Sequence, residues 1–157
     1  MAYLDIIPLA DAKVYLRIDD TLTDDDAQII RMIKGALSFV ERSTNVMLFA
    51  REKTYRFING VVSVYDSPIN SITTPTDDLT SETKTLYTNY CYSVGDNSLL
   101  TLNVGYADLT DIPQELIEVA YEVIELMYYE KQTNKSHLDS LSSLSTMILN
   151  NYKRFIL

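Results

Sequence analysis

The spacing of apolar residues changes twice along this chain, and that change limits the fold more than any other feature. Ile29, Ile33, Ala36 and Val40 form one stripe at helical spacing, widened by Ile30 and Leu37, which predicts a helix over about 24–43. Leu9, Ala12 and Leu16 share a face around 11–17, a shorter helix before it. From Arg51 the period becomes two, with Tyr55 and Phe57 alternating against Thr54 and Arg56. Helical spacing returns after Pro113: Ile117, Ala120, Ile124 and Met127 share a face over about 113–131. Leu116, Val119 and Val123 carry that apolar surface well round the cylinder, so this helix is expected to be covered on more than one side. Leu144, Ile148, Tyr152 and Phe155 mark a last amphipathic helix. The class that follows is mainly α with a small antiparallel β element, a bundle of about four helices with inserted β-hairpins.

Local signals place the boundaries. Thr23 followed by Asp26 resembles a capping box, and acidic residues crowd the positive end of the 24–43 helix. Gly35 weakens the middle of that helix by about 1 kcal/mol unless another element packs close there. Asn59-Gly60 between β-rich runs predicts one hairpin, and Gly95-Asp96-Asn97 before Leu99 predicts a second. Asp66-Ser67-Pro68 ends the strand that starts at Val61, because proline cannot donate to a ladder. The stretch 73–84 is rich in Thr, Asp and Ser and reads as a long exposed loop. Asp111 is the expected cap before Pro113, whose missing N–H costs nothing in a first turn. The polar, serine-rich 133–143 reads as a hinge. The organisation expected is a helical domain over 1–135, with its β-hairpins inserted at about 51–104, and a hinged segment over 136–157.

Composition removes several functions. The chain has 157 residues, 46% of them hydrophobic and 22% charged, ordinary globular usage with enough length for one core. Its formal charge is −9, from 13 basic and 22 acidic residues, which opposes tight binding to nucleic-acid phosphates. Cys91 is the only cysteine, so no disulfide can close within the chain. The first nine residues carry Asp5 and Pro8, unlike a secretory leader, and no apolar run is long enough for a membrane helix. A soluble, acidic, compact protein is expected.

Catalytic groupings are scarce. His137, the only histidine, lies in the polar hinge with only Asp139 near it, and reads as a solvated residue. Cys91 sits in an alternating strand and reads as an inert thiol. The run Asp19-Asp20 and Asp24-Asp25-Asp26 lacks the glycine and closing glutamate of a calcium loop. Glu115, Glu118, Glu122 and Glu125 recur at helical spacing and read as a wet face. Isolated glycines make no phosphate-cradling loop. Twelve tyrosines and no tryptophan suit surfaces that are both packed and wet. No enzyme, cofactor or metal is expected.

Two stretches resemble a known family, the head–tail connector (adaptor, or head-completion) proteins of long-tailed bacteriophages. Leu9-Ala10-Asp11-Ala12-Lys13-Val14-Tyr15-Leu16-Arg17-Ile18-Asp19, with Asp24-Asp25-Asp26-Ala27-Gln28-Ile29-Ile30 and Ala36-Leu37, is similar to the family's opening helix pair, L-x-x-A-K-x-x-L-R-I-D … D-D-x-x-I. Val104-Gly105-Tyr106 with Ile112-Pro113-Gln114-Glu115-Leu116 and Ala120 is similar to its G-Y … I-P-x-x-L-x-x-A entry into the third helix. Together they span about half the chain. The hairpin-rich middle matches no fixed pattern of the family.

The resemblance implies a structural virion protein at the head–tail interface, made in the host cytoplasm. It would form a ring of about twelve copies between the portal and a stopper or tail-completion protein, extending the channel through which DNA passes without specific binding. It further implies that the C-terminal segment meets the portal, which nominates Leu144, Ile148, Tyr152, Lys153, Arg154, Phe155, Ile156 and Leu157. An amphipathic helix after a hinge fits that role, since it cannot cover its own stripe. Rival readings are an acidic DNA-mimicking inhibitor, a neighbouring tail-completion protein, and a hydrolase using the glutamates of the third helix. Mimicry would require carboxylates spaced like phosphates on one face, whereas here they are spread over several. No second catalytic group supports a hydrolase.

Overall fold

A computed structural model describes residues 3–56, 61–74, 79–80, 90–94, 99–133 and 141–153. They divide into two compact units, one drawn from Met1–Thr44 and Leu109–Tyr152, the other from Asn45–Asp108 and Lys153–Leu157. The first unit is helical. It holds α1 (Tyr3–Ile6), α2 (Leu9–Tyr15), α3 (Asp26–Thr44), α4 (Gln114–Thr133) and α5 (Ser143–Tyr152), with a 3-10 turn at Leu109–Asp111. The second is β: strands β1 (Arg51–Arg56), β2 (Val61–Val64), β3 (Ile69–Thr74), β4 (Leu79–Thr80), β5 (Tyr90–Val94) and β6 (Leu99–Val104). The class is mainly α with a small antiparallel β element, as the periodicities imply.

In the helical unit the predicted stripe of α3 is the core. Ile29, Ile33, Ala36, Leu37 and Val40 have no exposed surface, nor do Leu116, Val119, Ala120, Val123 and Ile124 of α4. Each such Ile, Leu or Val side chain contributes about 1.5–3 kcal/mol on burial. The buried face of α4 is centred on Val119 and Val123, and Ile117 is only half-buried. A Cβ placed on Gly35 would meet Met127 Cε at 3.5 Å, ordinary contact, so α4 does approach α3 there. Replacing Gly35 with Ala therefore removes a helix-weakening residue without a clash. The expected gain is about 0.5–1 kcal/mol in chemical denaturation; a loss would show that Met127 cannot yield.

Both hairpin assignments need correction. β1 pairs with β6, and β2 with β5, all antiparallel, so the strands flanking Asn59-Gly60 and those flanking Gly95-Asp96-Asn97 pair elsewhere. Residues 57–60 and 95–98 lie outside the described residues. Two three-stranded sheets result, ordered β1-β6-β3 and β2-β5-β4. Their ladders keep almost one register, since Arg56 faces Leu99 and Val61 faces Ser93. Straight, such a ladder would run about 46 Å from Tyr90 to Val104 at 3.3 Å per residue. Yet Val64, paired with Tyr90, is followed five residues later by Ile69, paired with Val104, and five residues span at most about 18 Å. The two sheets must fold over one another. Their shared core is Met47, Val62, Val64, Leu100, Leu102 and Val104, with Tyr55 and Ile69 against it. Periodicity shows a strand but not its partner, which is why turn chemistry alone misassigned the pairing.

Other boundaries differ in smaller ways. The loop expected over 73–84 contains the end of β3 and all of β4; its other residues, like most of the 133–143 hinge with His137, lie outside the described set. Helix α2 starts earlier than expected, directly after Pro8, and stops at Tyr15. Cys91 lies in β5 as expected. No helix among the described residues is long and apolar enough to cross a membrane.

Candidate interaction surface

The link between α2 and α3 is held by a lysine that periodicity does not single out. Lys13 is 3% exposed, and its ammonium donates to the carbonyls of Asp20 (3.0 Å) and Leu22 (2.7 Å) and pairs with Asp26 Oδ1 at 3.0 Å. Two of its hydrogens serve those carbonyls, and Asp26 is held by charge alone, without hydrogen-bond geometry. The Asp26 carboxylate thus serves Lys13, whereas the predicted capping box would have turned it back to Thr23; the contact there is the Thr23 carbonyl accepting the Asp26 N–H. Helix α2 ends in a Schellman turn: Arg17 takes φ 58, its N–H donates to Val14 O, and Ile18 N–H donates to Lys13 O. Asp19 then accepts both the N–H and the hydroxyl of Thr21, which together outweigh other influences and hold its carboxyl below the usual range. The stretch Leu16-Arg17-Ile18-Asp19 is therefore a helix stop followed by a side-chain-closed turn.

That stop leaves Val14 and Tyr15 on the surface. The ring of Tyr15 stacks on Tyr121 of α4, with centroids 4.9 Å apart and planes at 28°. Burial pushes the Tyr15 hydroxyl up from its ordinary value; the charges of Glu125, Glu118 and Glu122 and a hydrogen bond to Glu125 push it further. Burial, Asp11 and Glu118 do the same for Tyr121. A cleft of about 360 Å3 opens here, lined by Tyr15, Leu16, Arg17, Glu125 and Tyr129. Aromatic walls in a field of carboxylates make a site for a cation carried on an apolar stem.

The residues nominated for portal contact divide. Arg154, Phe155, Ile156 and Leu157 lie outside the described residues, and Lys153 is exposed just after α5. Leu144 is 61% exposed and Met147 54%, whereas Ile148 and Tyr152 are half-buried. The inward face of α5 is Ser145 and Leu149, one position round from the expected stripe. Glu122 is bonded to this inward face. Its carboxylate accepts the Ser142 N–H (2.6 Å), the Ser142 hydroxyl (2.9 Å) and the Ser145 hydroxyl, while Glu115 accepts the Tyr152 hydroxyl at 3.1 Å. Two of the four glutamates read as a wet face thus tie α5 to α4. The signal was present in Glu115 and Glu122 seven residues apart, facing a serine-rich helix start.

Burial alone would raise the Glu122 carboxyl, but the bonds from Ser145 and Ser142 prevail and hold it below the ordinary carboxylate range. A lowered folded value means the tie is fully present above about pH 4.3 and is lost as pH falls through the lowered value. Glu122→Gln is expected to speed amide exchange over α5 by about five- to tenfold at neutral pH, while α3 is unchanged. The wild type should approach the variant in acid. Equal protection of α5 in both proteins at neutral pH would refute the tie.

Charge is divided unevenly. The segments Met1–Thr44 and Leu109–Tyr152 hold fifteen acidic and seven basic residues, and the rest of the chain seven and six, so the helical unit carries −8 of the −9. Among the described residues, no three His, Cys, Asp or Glu side chains are grouped to hold a metal ion.

No protein-family model matches the sequence, and no curated protein matches it. Solved structures do share the fold. One is a chain in the neck of an empty gene transfer agent (GTA) particle computed with C6 symmetry, with a TM-score of 0.70 at 12% identity, over 98% of this chain and 92% of that one. Another is a chain from the virion of a native gene transfer agent particle, with a TM-score of 0.66 at 13% identity over the same shares.

Proposed function

We propose that this chain is a structural protein of the neck of a phage-like virion, a head–tail adaptor whose copies form a ring between the portal and the stopper or tail-completion protein. The observation that carries this reading is the likeness in fold, over 98% of the chain, to a chain in the neck of a gene transfer agent particle. The sequence resemblance to connector proteins points the same way and draws on different information, namely the motifs around Lys13 and Gly105. In this reading the outer face of α5, through Leu144, with Ile148, Tyr152 and the residues from Lys153 to Leu157, meets the portal. The role is architectural and needs no catalytic group.

Acidity fits a DNA conduit. About twelve copies at −9 carry on the order of −100 formal charges, which repel passing phosphates and let the duplex slide. DNA mimicry fits less well, because Asp26, Glu115 and Glu122 are occupied within the fold.

The test is to mix purified protein with portal assemblies of the same particle and examine them by native mass spectrometry and cryo-microscopy. A ring of this chain seated on the portal is the expected result, with Leu144→Asp weakening it. A chain that stays monomeric and ignores the portal at all concentrations overturns the reading.

A further inference from the structure

We infer that the Tyr15–Tyr129 cleft receives Arg56 and Leu99 of a second copy of this chain. The inference rests on the ring reading and names the contact between neighbouring copies. The cleft supplies what an arginine on an apolar support requires: two exposed tyrosine rings, at 41% and 49%, and Glu125 in its lining, with Glu118 and Glu122 close enough to act on Tyr15. Arg17 lines the same cleft and balances Glu125 there, while Glu118 and Glu122, outside the lining, make the surrounding field negative.

Charge decides what can enter. The helical unit at −8 disfavours contact with another helical unit and favours a cationic patch from the nearly neutral remainder of a second copy. On β1 the cations differ in availability. Arg51 lies over the Phe49 ring at 4.8 Å, and Lys53 is paired with Asp66 at 2.8 Å. Arg56 is exposed at the strand end, directly across the ladder from Leu99, itself 53% exposed. Directly opposed residues share a face with Cβ atoms about 5 Å apart, so the two present a cation beside an apolar surface. On α3, Lys34 and Arg42 have no large exposed apolar residue on their own helix, and Arg31 bonds to the carbonyl of Ala27. A head-to-tail ring needs two different, complementary patches on each copy, and these two meet that requirement.

Charge reversal tests the contact. Self-association of wild type, Glu125→Lys, Arg56→Glu and the double variant is measured by sedimentation and native mass spectrometry, alone and with portal, after thermal melts show that each folds. Each single reversal is expected to weaken association by about tenfold or more, and the double variant to return to within about threefold of wild type. Leu99→Ser, which alters no charge, weakens it as well. Association unmoved by either reversal, or lost without rescue in the double variant, overturns the inference while leaving the ring intact. A wild type that never associates, with or without portal, instead removes the ring reading on which the inference rests.

Discussion

Gly105→Ala is expected to unfold the β unit or cost it at least about 4 kcal/mol. Gly105 takes φ +109, and a Cβ there would stand 2.1 Å from the carbonyl oxygen of Phe49 and 2.5 Å from its carbon. Both are backbone atoms, so no side-chain rotation relieves the clash. The segments around it have little room to retreat: Gly105 N–H donates to Pro68 O, its carbonyl accepts from Asn70 Nδ2, and Tyr106 and Ala50 are bonded across the same junction. A fall in melting temperature of more than about 10 °C should accompany the loss, with amide exchange rising first in β1, β3 and β6. A change below 1 kcal/mol would show that the Phe49 segment moves freely. The same substitution at Gly35 should have the opposite sign, because only one of the two glycines has backbone against its open side.

Lys13→Met is expected to cost the helical unit about 2–4 kcal/mol. Methionine keeps most of the volume but leaves the carbonyls of Asp20 and Leu22 without their donor and the Asp26 carboxylate without its counter-charge. Breaking a fully buried pair from one side costs about 3–5 kcal/mol, and partial exposure of Asp26 lowers that figure. Denaturation of the variant beside Asp26→Asn and the double variant gives the coupling. The double variant should lose less than the two single losses together, since each partner's removal leaves the other stranded. Additive losses would mean that Lys13 acts only through the two carbonyls.

What the sequence revealed follows from the range of each interaction. The stripes of α3 and α4, the strand character of Arg51–Arg56 and Leu99–Val104, and the break after Leu16 all depend on neighbours within a turn or two. Strand partners did not emerge, because Val61 finds Ser93 and Arg51 finds Val104 across gaps that alternation does not encode. The missed roles of Lys13, Glu115 and Glu122 share one cause. Each looks like a free surface charge until a second element brings it a partner, and only the fold decides which charges are so engaged. Gly105 is the intermediate case: Gly105-Tyr106 belonged to a recognisable pattern, but the reason for glycine lies in Phe49, more than fifty residues earlier.

The helical unit is sewn from two separate stretches, Met1–Thr44 and Leu109–Tyr152, with Asn45–Asp108 between them. On the ribosome, therefore, α1 to α3 emerge long before the segment that covers them. Ile29, Ile33 and Leu37 must wait unprotected while the strands are made, and the sheets have every residue they need before the bundle does. Maturation of this protein should be paced by that late closure, leaving the half-built bundle as the species most exposed to chaperones and to premature association.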